Sequence, residues 1–285
     1  MIKVAAIQCP LPGPREANIE RVMKHIRAAA AQGANIVLPP ELFEGPYFCR
    51  HERDIFFDEA RAFDGNATIA RVAQLAKELS IVVPVSYFER AGHAHYNSVA
   101  IVDADGTVLG NYRKSHIPDG PGYEEKFYFR PGDTGFKVWK TRFATIGVGI
   151  CWDQWYPECA RAMMLQGAEL LFYPTAIGSE PHDATLDTKD PWQRAMIGHA
   201  VTNVVPVIAA NRIGSEEGQL FYGSSFIANH RGDKVAELGR DDEGVIVAGF
   251  DIAELHRTRA SWGFFRDRRP ELYGVLTTAD GKTRI

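Results

Sequence analysis

Cysteine is scarce in this sequence: Cys9, Cys49, Cys151 and Cys159 are the only four in 285 residues. Disulfide-stapled domains carry a denser framework, so these thiols read as reduced and the chain as cytoplasmic. No apolar run approaches the roughly 20 residues that cross a bilayer. The start, Met1-Ile2-Lys3-Val4, has no signal-peptide pattern. Neither sign of charge dominates, with 32 basic against 36 acidic residues and a net charge of −4. A polyanion-binding surface is therefore not implied, and no nucleic-acid or membrane partner is expected. Low-complexity segments and linkers are also missing. With 45% hydrophobic residues, the chain fits one large globular domain.

What is present is an alternation of strands and helices. Val4–Gln8 reads as a strand. Asn18–Ala31 reads as a helix, with Ile19, Val22, Met23 and Ile26 at helical spacing and an end near Gly33. Strands Ile36–Leu38 and Ile81–Phe88 flank a helix at Ala67–Leu79. Asp105-Gly106 marks a hairpin between Ser98–Val102 and Thr107–Leu109. Thr145–Ile150 is a strand, and Pro157–Gln166 a helix with proline in its first turn and Gly167 past its end. Strand Leu170–Tyr173, helix Trp192–Asn203 and strand Val207–Asn211 follow. Phe226–His230, Val235–Leu238 and Val245–Phe250 look like a closing meander. This density of strand–helix–strand units means an α/β fold, and a barrel or a layered sandwich both satisfy it.

Three of these strands end on residues that carry chemistry. Cys151 follows the run Thr145–Ile150, so a rigid strand fixes the sulfur and the turn after it supplies free N–H groups to an oxyanion. Glu41 follows Asn35-Ile36-Val37-Leu38-Pro39-Pro40, where two prolines stiffen the exit. Against Leu42, Phe43, Tyr47 and Phe48 its carboxylate should be partly desolvated, which raises a carboxyl pKa and makes a useful base. Lys114, in Gly110–Pro118, lies just beyond a returning strand and can bind an oxyanion if brought to the other two.

With Glu41, Lys114 and Cys151 in that chain order, the sequence resembles the carbon–nitrogen hydrolases of the nitrilase superfamily, from Ala5-Ala6-Ile7-Gln8 to Tyr273. The resemblance implies a single-domain α/β fold, a four-layer α-β-β-α sandwich over residues 1–260. It also implies a C-terminal arm over 261–285 that packs across a subunit interface, and so a homo-oligomer built on a two-fold dimer. Trp262, Phe264, Phe265, Arg266, Arg268, Arg269 and Tyr273 in that arm are interface residue types. The implied roles are Cys151 as nucleophile, Glu41 as base and Lys114 as oxyanion binder, helped by the Trp152 N–H. Glu125 matches the position of a second glutamate that supports the lysine, with its neighbour Glu124 as the alternative. No cofactor and no metal are implied. The segments Leu38–Cys49, His116–Phe129, Pro174–Pro181 and Ser261–Pro270 resemble members that hydrolyse N-carbamoylputrescine to putrescine, ammonia and carbon dioxide, a step in polyamine synthesis from agmatine. Other amidases of the superfamily, such as N-carbamoyl-amino-acid hydrolases or ω-amidases, or a catalytically silent binding member, are the alternatives.

Substrate selectivity then falls to loops. A carbamoylated diamine carries a terminal ammonium that needs an acceptor, whereas a carbamoyl amino acid needs an arginine for its carboxylate. Asp119, Glu180 and Asp183 are the acidic loop residues, and Glu180 of Gly178-Ser179-Glu180-Pro181 is preferred as the ammonium partner. Tyr47, Trp152 and Tyr156 are candidates to line the methylene channel, and His116 to line the pocket. A Cys–His scheme would need His116 or His199 as base. His93 and His95 form an H-x-H pair in a turn with no further ligands spaced nearby, which disfavours a metal site.

Overall fold

Side chains alternate along the strands, and this alternation sorts the apolar residues into separate layers. On the first strand Val4 and Ala6 belong to one buried cluster and Ala5 and Ile7 to another, as do Ile36 and Leu38 against Val37 on the next. Strands with two apolar faces must be covered on both sides. In the computed structural model, which describes residues 1–283, the elements follow in this order. They are β1 (Ile2–Gln8), α1 (Arg15–Ala31), β2 (Ile36–Leu38), α2 (Ala67–Leu79), β3 (Val83–Ala91), β4 (Ala94–Val102) and β5 (Val108–Arg113). Then come α3 (Glu125–Tyr128), β6 (Val138–Lys140), β7 (Thr145–Val148), α4 (Pro157–Leu165), β8 (Leu170–Pro174), α5 (Lys189–Asn203) and β9 (Val207–Ala210). The last are β10 (Ile213–Glu216), β11 (Gln219–Tyr222), β12 (Phe226–Ala228), β13 (Lys234–Glu237), β14 (Gly244–Phe250) and α6 (Ile252–Trp262).

The first sheet runs β14-β1-β2 and continues into β3-β4-β5. The join is a parallel bridge of Ile36 to Val82, with Val37 N donating to Val82 O at 2.9 Å. The second sheet runs β13-β12-β9-β8-β7-β6. Val4, Ile36, Leu38, Val99 and Ile101 of the first sheet meet Ile146, Val148, Phe172, Ile208 and Ile227 of the second in one core. Outside the first sheet, Ile19, Val22 and Ile26 of α1 pack with Ile69, Val72 and Leu75 of α2. Outside the second, Met163 of α4 packs with Trp192 and Met196 of α5. The layers are α-β-β-α. No helix among the described residues is long and apolar enough to cross a membrane.

Several features differ from the sequence reading: α3 and β6 were not expected, and β5 runs on to Arg113 rather than ending at Leu109. The closing segment is not a meander: β12 and β13 form a hairpin, but β14 crosses to the other sheet. There it pairs antiparallel along all of β1, from Ile2 with Phe250 to Gln8 with Gly244. The β10–β11 hairpin lies outside both sheets and carries no run of apolar alternation. Helix α6 buries only Leu255, so its periodicity is weak, and it runs past residue 260 to a left-handed Gly263 at φ 75°.

Helix α2 shows the local capping rule. Asn66 Oδ1 accepts from Thr68 N at 3.0 Å and Ile69 N at 3.1 Å, satisfying two otherwise orphan donors. Asn66→Ala should destabilise the protein by about 1 kcal/mol, read as a lower urea midpoint at an unchanged slope. An unchanged midpoint would show that the cap adds nothing.

Candidate active site

The two sheets bring different parts of the site together. Glu41 and Lys114 stand at the ends of β2 and β5 in the first sheet, and Cys151 just beyond β7 in the second. Glu41, Lys114 and Glu125 are wholly buried, and Cys151 is 5% exposed. Lys114 Nζ donates to Glu41 Oε1 at 3.0 Å and to Glu125 Oε2 at 2.7 Å. Asn97 Nδ2 adds a bond to Glu41 Oε1 at 2.7 Å, and the Tyr47 hydroxyl donates to Glu125 Oε1 at 2.6 Å. Three of the four carboxylate oxygens are thus occupied. Among the described residues, Glu41 Oε2 has no hydrogen-bond partner.

Both Leu42 and Cys151 are held left-handed, at φ 46° and 41°. Such a conformation costs a non-glycine residue about 1–3 kcal/mol and persists only where the surroundings impose it. At Cys151 it turns the thiol out of the strand direction, and the Sγ comes to 3.8 Å from Ala176 O. Gly149 makes room for this turn, since a Cβ there would meet Tyr173 at 2.9 Å and Cys159 Sγ at 3.0 Å.

The charges follow from this packing. Burial, reinforced by the Glu41 carboxylate, pushes the Cys151 thiol well above its usual range, with Lys114 opposing. At neutral pH it is a protonated thiol. Burial works against charge on Lys114, but Glu125 and Glu41 outweigh it and hold the ammonium well above the usual lysine value. Burial also lifts Glu125, with Lys114 opposing and Glu41 adding. The cluster can therefore take a thiol proton on the free Glu41 oxygen and offer a fixed cation to a developing oxyanion.

A carbon–nitrogen hydrolase family model matches residues 3–260. This chain belongs to that family. An N-carbamoylputrescine amidase of Oryza sativa subsp. japonica is 59% identical, over 99% of this chain and 96% of its own. A citrullinase of Francisella tularensis is 52% identical, over 96% of this chain and 98% of its own. The crystal structure of a carbon–nitrogen hydrolase from Helicobacter pylori G27 superposes with a TM-score of 0.92 at 37% identity, covering 98% of this chain and 99% of that one.

Other candidates of this hydrolase fall in different places. Glu124 is turned outward beside exposed Asp119, so Glu125 alone reaches Lys114 and Asp119 is not brought to the cluster. Tyr47 does not line an open channel: it is wholly buried, its hydroxyl occupied by Glu125 and its ring set edge-on to Phe221. Trp152 is 37% exposed beside Cys151. His116 and Tyr156 stack at 3.6 Å, and the His116 ring turns its Nδ1 to Asp153. Glu180 is half-buried, and its charge acts on Tyr123 and Tyr222, both of which also sense Cys151. Asp183 is occupied by Thr185 in its own loop. His199 faces Gln154 O at 2.8 Å, and His95 packs on Phe57 and Phe88.

Sequence reasoning missed Asn97, Tyr112, Asp153 and Arg212. Arg212 is wholly buried and donates to Glu41 O at 2.8 Å and Leu42 O at 3.0 Å, buckling the Glu41 loop to the end of β9. Its other nitrogen meets Glu216 at 2.9 Å, and Glu216 in turn accepts from Tyr47 N. An amide in mid-strand, as Asn97 is in β4, was the available signal.

Because Glu41 raises the Cys151 thiol, Glu41→Gln should move the pH profile of Cys151 alkylation by iodoacetamide to lower pH. The wild-type profile should lie well above that of an ordinary thiol. Identical profiles, with Cys151→Ser as the blank, would show that Glu41 does not act on this sulfur.

Proposed function

We propose that this protein hydrolyses N-carbamoylputrescine to putrescine, ammonia and carbon dioxide by a thiol mechanism. The carrying observation is the unpartnered Glu41 Oε2 in a cluster whose nucleophile is a protonated thiol and whose cation is locked. Glu41 Oε2 takes the thiol proton as Cys151 Sγ attacks the carbamoyl carbon. Lys114 Nζ and the Trp152 N–H, which opens a 3-10 turn, stabilise the tetrahedral oxyanion. The proton passes from Glu41 to the leaving nitrogen, leaving an S-carbamoyl (thiocarbamate) enzyme that keeps the second nitrogen on the carbonyl carbon. Glu41 then activates water, which releases a carbamic acid that loses carbon dioxide. Whichever C–N bond breaks first, the products are the same. Glu125 and Tyr47 keep Lys114 aimed.

The rice relative supports the diamine, and the Francisella relative supports citrulline, which adds an α-carboxylate. The surroundings of Glu180 favour the diamine. Burial raises its carboxyl and His182 is the charge that opposes this, with no arginine or lysine charge acting on it among the described residues. Glu180 accepts the terminal ammonium. Glu180→Gln should raise KM for N-carbamoylputrescine about ten- to a hundredfold, a loss of about 1.5–3 kcal/mol, and leave N-butylurea unchanged in an ammonia-release assay. Equal effects on both substrates would remove Glu180 from this role, and a higher kcat/KM on citrulline would overturn the substrate.

We also propose a two-fold dimer in which the arm after Gly263 reaches a second copy. Exposed Leu165, Trp262, Phe264, Leu272 and Leu276 support this, as does a cavity of about 870 Å³ between α4, α5 and the arm. Residues 284–285 lie outside the described residues. Light scattering should give a dimer or larger species for the whole chain and a smaller one after deletion from Phe264. A monomer at micromolar concentration would refute it.

A further inference from the structure

The reacting groups are divided between two sheets that touch through an apolar core. Dispersion and hydrophobic burial hold such sheets together but have no direction, so they resist separation better than a small slide. Attack nonetheless requires Cys151 Sγ on the second sheet and Lys114 Nζ on the first to meet one carbonyl group with sub-ångström accuracy. Something directional must fix the register at this end of the sandwich.

Asp153 does this geometrically. It is wholly buried, two residues after Cys151, and its two oxygens take four contacts. Oδ2 accepts from Ile150 N at 2.9 Å, immediately before Cys151, and from the Tyr112 hydroxyl at 2.7 Å. Oδ1 accepts from His116 N at 3.0 Å and meets His116 Nδ1 at 2.7 Å. Tyr112 and His116 lie two residues before and two residues after Lys114. A single carboxylate thus clamps the backbone on the near side of Cys151 to both sides of Lys114.

We propose that Asp153 is a positioning residue that sets the distance between the Cys151 nucleophile and the Lys114 oxyanion site across the sheet seam. It touches neither substrate nor reacting atoms. His116, held at two points by the same carboxylate, belongs to this clamp and is not the base. The inference rests on the roles given above to Cys151 and Lys114.

The test combines Asp153→Asn, Tyr112→Phe, the double variant and Cys151→Ser, assayed for ammonia release alongside thermal melting. Asp153→Asn replaces one acceptor by an amide that opposes the N–H or O–H donors it faces. Its kcat should fall about a hundredfold, the scale of an ångström misplacement, with KM within about threefold of wild type. Tyr112→Phe should lose about tenfold in kcat at unchanged KM, and the double variant should be no worse than Asp153→Asn, because both act through one contact. A lowered melting temperature with wild-type kcat per folded molecule would overturn the proposal, as would multiplying losses in the double variant. Should Asp153→Asn fail to fold, Tyr112→Phe decides alone: a kcat loss at constant KM supports the clamp and a wild-type kcat overturns it. Inactive Cys151→Ser beside a fully active Asp153→Asn defeats this inference only. Retained activity in Cys151→Ser defeats the nucleophile assignment and this inference with it.

Discussion

One buried ammonium, shared between two buried carboxylates, is the constraint around which this protein is arranged. Lys114 has no access to water, so its charge survives only because Glu41 and Glu125 lie within hydrogen-bond reach. Removing one carboxylate leaves the cation a single counter-charge, and removing both leaves it uncompensated in the core. Every segment that presents one of the three must therefore be held where burial would otherwise expel it. Left-handed Leu42, the Asn97 and Tyr47 bonds, and Arg212 under the Glu41 loop all serve that end. The same arrangement leaves one oxygen, Glu41 Oε2, without a partner among the described residues, and that oxygen is the open acceptor of the cluster.

The ends of β2 and β7 were readable because each is a short apolar run that stops against a breaker, whereas β5 was read only to Leu109 and its turn fixed its start. Pro39-Pro40 precedes Glu41, the Asp105-Gly106 turn sets where β5 begins, and Gly149 precedes the Cys151 turn. Local chemistry marks such points without help from the rest of the chain. The choice of Glu125 over Glu124 came from resemblance, and the structure distinguishes them because a short helical turn buries Glu125 and leaves Glu124 at its start only half-buried.

What was not readable depends on distant partners. Asp153 and Arg212 look like ordinary loop charges until the sheets are stacked, because their partners are 37 and up to 171 residues away. Tyr47 sits among apolar residues and reads as a lining side chain, yet the residue its hydroxyl needs arrives 78 positions later. The last strand was misplaced for the same reason: adjacency in sequence suggests a hairpin, and nothing within Val245–Phe250 tells which edge it seeks.

That last strand has a consequence for how the molecule comes into being. Without β14, β1 is an edge, bordered only by β2 through three residues. The main-chain groups on its open side wait for a partner more than 230 residues downstream. At a synthesis rate of about 5–20 residues per second that delay is roughly ten to fifty seconds. The sheet that carries Glu41 and Lys114 is closed only after nearly the whole chain has left the ribosome, so a prematurely ended product exposes a bare strand edge in place of a working site.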